Sequence, residues 1–111
     1  MALPNKNRLT GKKDFEQILR EGVAVKGRSL FIKYKKNKSS VFRFGSVVSL
    51  IVARNAVARN RIKRVFSEIV RQYVREGVKN LIGLDIVAIV SRRDDEEVLI
   101  KELGVLLGKL N

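Results

Sequence analysis

The run from Arg54 to Arg75, R-N-A-V-A-R-N-R-I-K-R-V-F-S-E-I-V-R-Q-Y-V-R, limits what the chain can fold into more than any other stretch. Its apolar residues Ala58, Ile62, Val65, Phe66, Ile69 and Tyr73 recur at spacings of three and four. At about 100° per residue they share one side of an α-helix, and that stripe must be covered by a core. Asn60, Arg64, Ser67, Arg71 and Arg75 line the opposite side, with Arg61 and Lys63 flanking them. The run holds seven cations, Arg54, Arg59, Arg61, Lys63, Arg64, Arg71 and Arg75, against the single acid Glu68. Like charges three or four residues apart repel by a few tenths of a kcal/mol each. Cations in the first turn also oppose the helix dipole. An ordinary solvated face would mix both signs. Folding alone gives no reason for this pattern; binding a polyanion does.

The rest of the chain agrees with that reading. The 111 residues carry 24 Lys and Arg against 11 Asp and Glu, a net charge of +13. That is the electrostatic footprint of a nucleic-acid binder in a single RNA-binding domain, 1–111. Cys and His are both absent. This excludes disulfides, zinc fingers, thiol catalysis and imidazole acid–base chemistry. The N-terminus lacks the apolar region of a secretory signal, and no apolar run approaches the roughly 20 residues needed to span a bilayer. A cytoplasmic location is therefore expected. Membrane-surface binding is excluded because the basic helix needs its apolar stripe for the core. A DNA regulator is disfavoured because no second helix sits a tight turn away.

In chain order, residues 1–9 read as a mobile basic arm containing the only proline, Pro4. Thr10 and Gly11 offer a cap for a helix over K-K-D-F-E-Q-I-L-R-E. Phe15, Ile18 and Leu19 form its stripe, and Gly22 is its C′ stop. Arg28 to Lys36 alternates as a strand, with Leu30, Ile32 and Tyr34 on one face and Phe31, Lys33 and Lys35 on the other. That second face suits either nucleic acid or a half-exposed strand. After the polar turn 35–40, residues 42–53 form a second strand, and the short loop predicts an antiparallel hairpin. The basic helix follows from Ala56 to Glu76 and stops at Gly77. The apolar run 84–91 is a strand parallel to the 42–53 strand. A last helix carries the stripe Val98, Leu99, Leu103, Leu106, Leu107 and Leu110. Asp94, Asp95, Glu96 and Glu97 fall in its first turn, where the dipole favours acids. A divalent-ion site is the other use for such a cluster. The fold class is α+β, a two-layer α/β sandwich in the order α-β-β-α-β-α on a mixed sheet with a β-α-β crossover.

At Arg59-Asn60-Arg61-Ile62-Lys63-Arg64, preceded by Asn55 to Val57, the sequence resembles the bacterial ribonuclease P protein subunit. Arg8-Leu9, Asp14-Phe15 before a helix ending in Gly22, and the strand D-I-V-A-I-V follow in family order, so the resemblance spans nearly the whole chain. It implies a left-handed β-α-β crossover. It implies a protein that is not itself catalytic but is a subunit of an endoribonuclease, tRNA-processing ribonuclease P. The partners implied are the catalytic ribonuclease P RNA and precursor tRNA, whose 5′ leader is removed by hydrolysis dependent on Mg2+ bound mainly by the RNA. The resemblance assigns Arg59, Asn60, Arg61, Lys63 and Arg64 to the RNA subunit, and Arg54 and Arg71 extend that basic face. Phe15, Leu19, Lys33, Arg92 and Arg93 fall at or near the leader-binding cleft. For Phe15, core packing is an equally good use.

Two departures bear on leader affinity. Leu19 stands where many members have a second aromatic, and Val52-Ala53 followed by Arg54 stands where many have a lysine pair. The alternative to the ribonuclease P reading is a ribosomal-type RNA-binding module, which shares the charge and build.

Overall fold

The computed structural model describes residues 3–77 and 79–110. After a short 3-10 helix, Asn5–Asn7, come helix α1 (Lys12–Glu21), strands β1 (Val23–Lys26), β2 (Leu30–Lys36) and β3 (Arg43–Val48), and helix α2 (Ala56–Arg75). Strand β4 (Leu84–Val90) and helix α3 (Glu96–Leu107) complete the chain. The expected order holds, with β1 as an additional strand.

The sheet runs β1-β2-β4-β3. β4 is antiparallel to β2, with Leu30 opposite Val90 and Lys36 opposite Leu84. It is parallel to β3, with Arg43 opposite Asp85 and Val48 opposite Val90. The parallel pairing is the one expected. The hairpin is not: β2 and β3 are separated by β4. The reason is burial, since every residue of β4 except the half-buried Ile89 is buried, and such a strand must lie inside the sheet. The loop 37–42 easily covers two strand spacings of about 5 Å each. β2 finds its hairpin partner in β1 instead, Val23 opposite Tyr34.

β3 is also shorter than the 42–53 expectation. The chain turns at Ser49, whose carbonyl accepts from the N–H groups of Val52 and Ala53, both at 3.1 Å. The N-terminal arm is packed rather than mobile from residue 3 onward. Leu3 and Leu9 are buried, Asn7 Nδ2 donates to Phe42 O at 2.7 Å, and Leu9 N donates to Phe44 O at 3.0 Å. This covers the outer edge of β3. Met1 and Ala2 lie outside the described residues.

One face of the sheet carries the main core: Leu30, Ile32, Phe44, Ile86, Ala88 and Val90 against Phe66 and Val70 of α2 and Leu99, Leu103, Leu106 and Leu107 of α3. Val70, absent from the expected stripe of α2, is fully buried, whereas Val98 of α3 is exposed. Only Glu96 and Glu97 lie in the first turn of α3, with Asp95 as its N-cap. α1 covers part of the second face through Ile18, which joins Leu9 and Val87, with Phe15 and Ile89 packed against them. Gly22 ends α1 in extended backbone at φ −72°, not in the left-handed C′ form. Glycine is needed there for space, because a Cβ would stand 2.5 Å from Ile18 O. Gly77 does adopt the left-handed form, φ 90°, after α2.

Candidate nucleic-acid interface

Helix α2 begins at the Asn55 N-cap, whose Oδ1 accepts from Val57 N at 2.7 Å, and no acid lies in its first turn. Phe66 and Val70 fix which side faces the core. That places Asn60, Arg61, Lys63 and Arg64 on the solvent side, together with Arg54 just before the helix. Arg71 is half-buried further along. The predicted cations do not all stand in the same state. Arg59 Nη1 donates to Ala53 O and Arg54 O, both at 2.9 Å. Its guanidinium thus closes the turn that presents Arg54. Arg61 pairs with Glu96 at the start of α3, Nε to Oε1 at 3.1 Å.

The second predicted group lies on the α1 side. The Phe15 ring is half-buried directly over Gly45 of β3. Leu19 is 37% exposed one turn later. Lys33 Nζ donates to Leu19 O, tying β2 to the negative end of α1. Lys35 does the same through Glu21, Nζ to Oε1 at 2.6 Å, which holds the Glu21 carboxyl below its usual range. Arg93 is placed elsewhere: Nε donates to Val52 O at 3.3 Å, beside Arg54 and the exposed Leu50 and Ile51. Arg92 is exposed after β4. The five predicted cleft residues are therefore not gathered in one place: Phe15, Leu19 and Lys33 lie at α1, Arg93 lies beside Arg54, and Arg92 is exposed after β4.

Two polar clusters went unmarked in the sequence. Arg43 donates to both oxygens of the buried Asp85, with Asn37 and Asp14 completing the group. The Asp85 hydrogen bond, opposed by burial, raises the Arg43 pKa above its ordinary value. At the other end of the sheet, Glu102 Oε1 accepts from Ser29 N at 2.8 Å and Leu30 N at 3.2 Å. Ser29 Oγ donates to Asp94 Oδ2 at 2.7 Å. That bond, then the one from Asp95 N, holds the Asp94 carboxyl below the usual range. Polar groups 29 to 73 positions apart carry no local signal of pairing, though Arg43 and Asp85 do fall in register once β3 and β4 are known to be neighbours.

The acids are thus dispersed over separate structural tasks. Among the described residues no three Asp or Glu side chains gather where they could share a metal ion, and no helix is long and apolar enough to cross a membrane.

Comparison with known proteins is consistent over the whole length. The family model described as Ribonuclease P matches residues 3–111. The ribonuclease P protein component of Pseudanabaena sp. (strain PCC 6903) is 32% identical over 108 residues, covering 96% of this chain and 93% of that protein. The protein of the same name from Clostridioides difficile (strain 630) is 34% identical over 91 residues, 79% of each chain. Among solved structures, the RNase P protein from Thermotoga maritima superposes with a TM-score of 0.78 at 29% identity, covering 94% of this chain and 97% of that one.

Proposed function

The chain belongs to the ribonuclease P protein family, and on that premise we propose that it binds the family's catalytic RNA through α2 and the 5′ leader of precursor tRNA along the α1 side. The observation that carries this is the acid-free N-terminal half of α2, which presents Asn60, Lys63 and Arg64 to solvent while Phe66 and Val70 anchor the helix behind them. A folded RNA is gripped through phosphates and shape, for which Arg offers a two-pronged fork. Single-stranded leader is gripped by stacking and a basic track.

Each group then has a defined task. Arg64, Lys63 and Asn60, with Arg54 and Arg71, contact the RNA subunit. Phe15 offers the exposed part of its ring to a leader base, a contact of about 1–3 kcal/mol. Lys33 holds the α1 end in place beside it, and Leu19 contributes apolar contact but no stacking. Arg93 joins Arg54 in the phosphate contacts near the start of α2, and Arg92 supplies further charge after β4.

The protein contributes binding rather than chemistry. Asp85, Asp94, Glu96 and Glu102 are engaged with Arg43, Ser29, Arg61 and backbone N–H groups, and among the described residues no three acids gather where they could share an Mg2+ ion. Magnesium-dependent hydrolysis of the leader is assigned to the RNA.

The test is cleavage of precursor tRNA at low magnesium by a bacterial ribonuclease P RNA alone, by this protein alone, and by both. Cleavage at the mature 5′ end only in the mixture is expected. Tight RNA binding without rescue would instead favour a ribosomal-type module, and cleavage by the protein alone would overturn the division of labour.

A further inference from the structure

Arg61 stands among the RNA-facing cations of α2, yet it is held by an acid of another helix. Its Nε lies 3.1 Å from Glu96 Oε1, and its Nη2 donates to Glu96 Oε2 at 3.2 Å. Glu96 is the first residue of α3, where the dipole favours a carboxylate. The Arg61 side chain is 63% exposed, so the pair adds little to the stability of the fold. What it does change is the RNA-facing surface. It cancels one charge there and fixes the direction of one guanidinium.

A guanidinium has five N–H donors in a rigid fork. Nη2 makes the one hydrogen bond of the pair, to Oε2, while Nε lies against Oε1 as an ion-pair contact only, and the two N–H groups of Nη1 are not part of it. A phosphate can therefore be met end-on by Nη1 and Nη2 while Glu96 stays in place.

We propose that Glu96 is a positioning residue that sets the specificity of RNA binding, an inference that rests on the function proposed above. It holds Arg61 as a directed phosphate fork and withholds the charge from strands that present no phosphate at that point. A flexible strand binds in proportion to the cations it can neutralise. A folded RNA places phosphates at fixed positions and gains from a fork already in place. The carboxylate thus disfavours the first kind of partner more than the second.

The experiment compares the full-length protein with Glu96→Gln, Arg61→Lys and Arg64→Ala, each checked by its circular-dichroism melt. The probes are a bacterial ribonuclease P RNA transcript and a short oligouridine, titrated over a range of salt. Glu96→Gln is expected to bind oligouridine about two- to five-fold tighter, of the order expected for one exposed charge pair. Its salt slope on that strand should steepen by about 0.7, one further counterion contact. Affinity for the folded RNA should change by less than about twofold, so discrimination falls. Arg61→Lys keeps the charge without the fork, and should lose folded RNA while retaining oligouridine. Equal gains on both RNAs for Glu96→Gln, or no change on either, would overturn the inference. Failure of the wild-type protein to prefer the ribonuclease P RNA, with Arg64→Ala no weaker, would instead overturn the underlying function, and the inference with it.

Discussion

Arg43 and Asp85 stand opposite each other in the parallel register of β3 and β4, and the guanidinium holds both carboxylate oxygens, Nε to Oδ1 at 2.9 Å and Nη2 to Oδ2 at 2.5 Å. Asn37 Nδ2 adds a third donor to Oδ1 at 2.9 Å, and Arg43 Nη1 reaches Asp14 of α1 at 3.3 Å. One buried carboxylate thus joins β4 to β3 and to the loop that carries the chain past β4, and Arg43 extends the group to α1. This is the polar counterpart of the apolar run that draws β4 into the sheet.

Replacing Asp85 by Asn keeps the volume but leaves Arg43 and Asn37 without their anionic acceptor. A loss of about 1.5–3 kcal/mol is expected, the range for hydrogen bonds to charged groups. Urea unfolding would measure it. RNA affinity, scored where the variant is still folded, should stay near wild type because α2 packs on the sheet through Phe66 and Val70 rather than through this group.

The seating of Phe15 depends on Gly45. A Cβ on Gly45 would overlap the Phe15 ring and stand 2.9 Å from Leu9 O. Gly45→Ala should therefore lift Phe15 and the arm together, at about 1–3 kcal/mol for overpacking. Combining it with Phe15→Ala relieves the ring but not the backbone contact. A double-mutant cycle should show favourable coupling of about 0.5 kcal/mol or more; strict additivity would mean that the ring does not rest on β3. Phe15→Ala alone should weaken leader-bearing precursor more than mature tRNA. Equal weakening of both would return Phe15 to a purely structural role.

The parts legible in the sequence are those set by local periodicity. α2 is bounded by Asn55 and Gly77, both marked by residue type, and its basic side follows from the apolar one. The parallel β3–β4 pairing follows from the strand–helix–strand order. The hairpin expectation failed because loop length was allowed to decide neighbours, while the burial of β4 on both faces decides them. The arm looked mobile because its anchors, Leu3, Asn7 and Leu9, are scattered single residues whose partners lie on β3 and in the core. For the site, the sequence named the residues of α2 but could not rank them. Whether an arginine faces solvent, a carbonyl or a carboxylate depends on the turn at Ala53 and on Glu96, 35 positions from Arg61, and local periodicity sets neither.

Asp94 predicts part of the acid response. Its carboxyl is held below the ordinary range chiefly by the Ser29 hydroxyl, then by Asp95 N. The folded state therefore binds fewer protons than the unfolded one, and this contribution to stability increases with pH. It is fully present above the ordinary aspartate value of about 3.9 and is lost as pH falls through the lower folded value. Ser29→Ala should remove part of that slope. The difference in unfolding free energy between Ser29→Ala and wild type should be constant near neutrality and shrink below about pH 4. A gap unchanged down to about pH 2 would show that the hydroxyl acts independently of the charge on Asp94.

Arg59 and Arg64 separate the two uses of arginine on α2. Arg59 Nη1 bridges Ala53 O and Arg54 O, so Arg59→Ala should unsettle the turn before the helix and cost about 1.5–3 kcal/mol of stability, as lost hydrogen bonds to a charged donor do. Arg64 is exposed on the solvent side, and Arg64→Ala should leave the melting temperature within a degree or two of wild type, as ordinary surface substitutions do. In RNA binding the order reverses in character. Arg64→Ala should lower affinity for the ribonuclease P RNA by about tenfold and reduce the salt slope by roughly one contact. Arg59→Ala should lower affinity while leaving the slope nearer to wild type, because it displaces Arg54 rather than removing an RNA-facing charge. The pair is read by measuring melting temperature and salt slope on the same preparations. A stable Arg59→Ala whose slope falls like that of Arg64→Ala would place Arg59 on the RNA and remove its role in the turn.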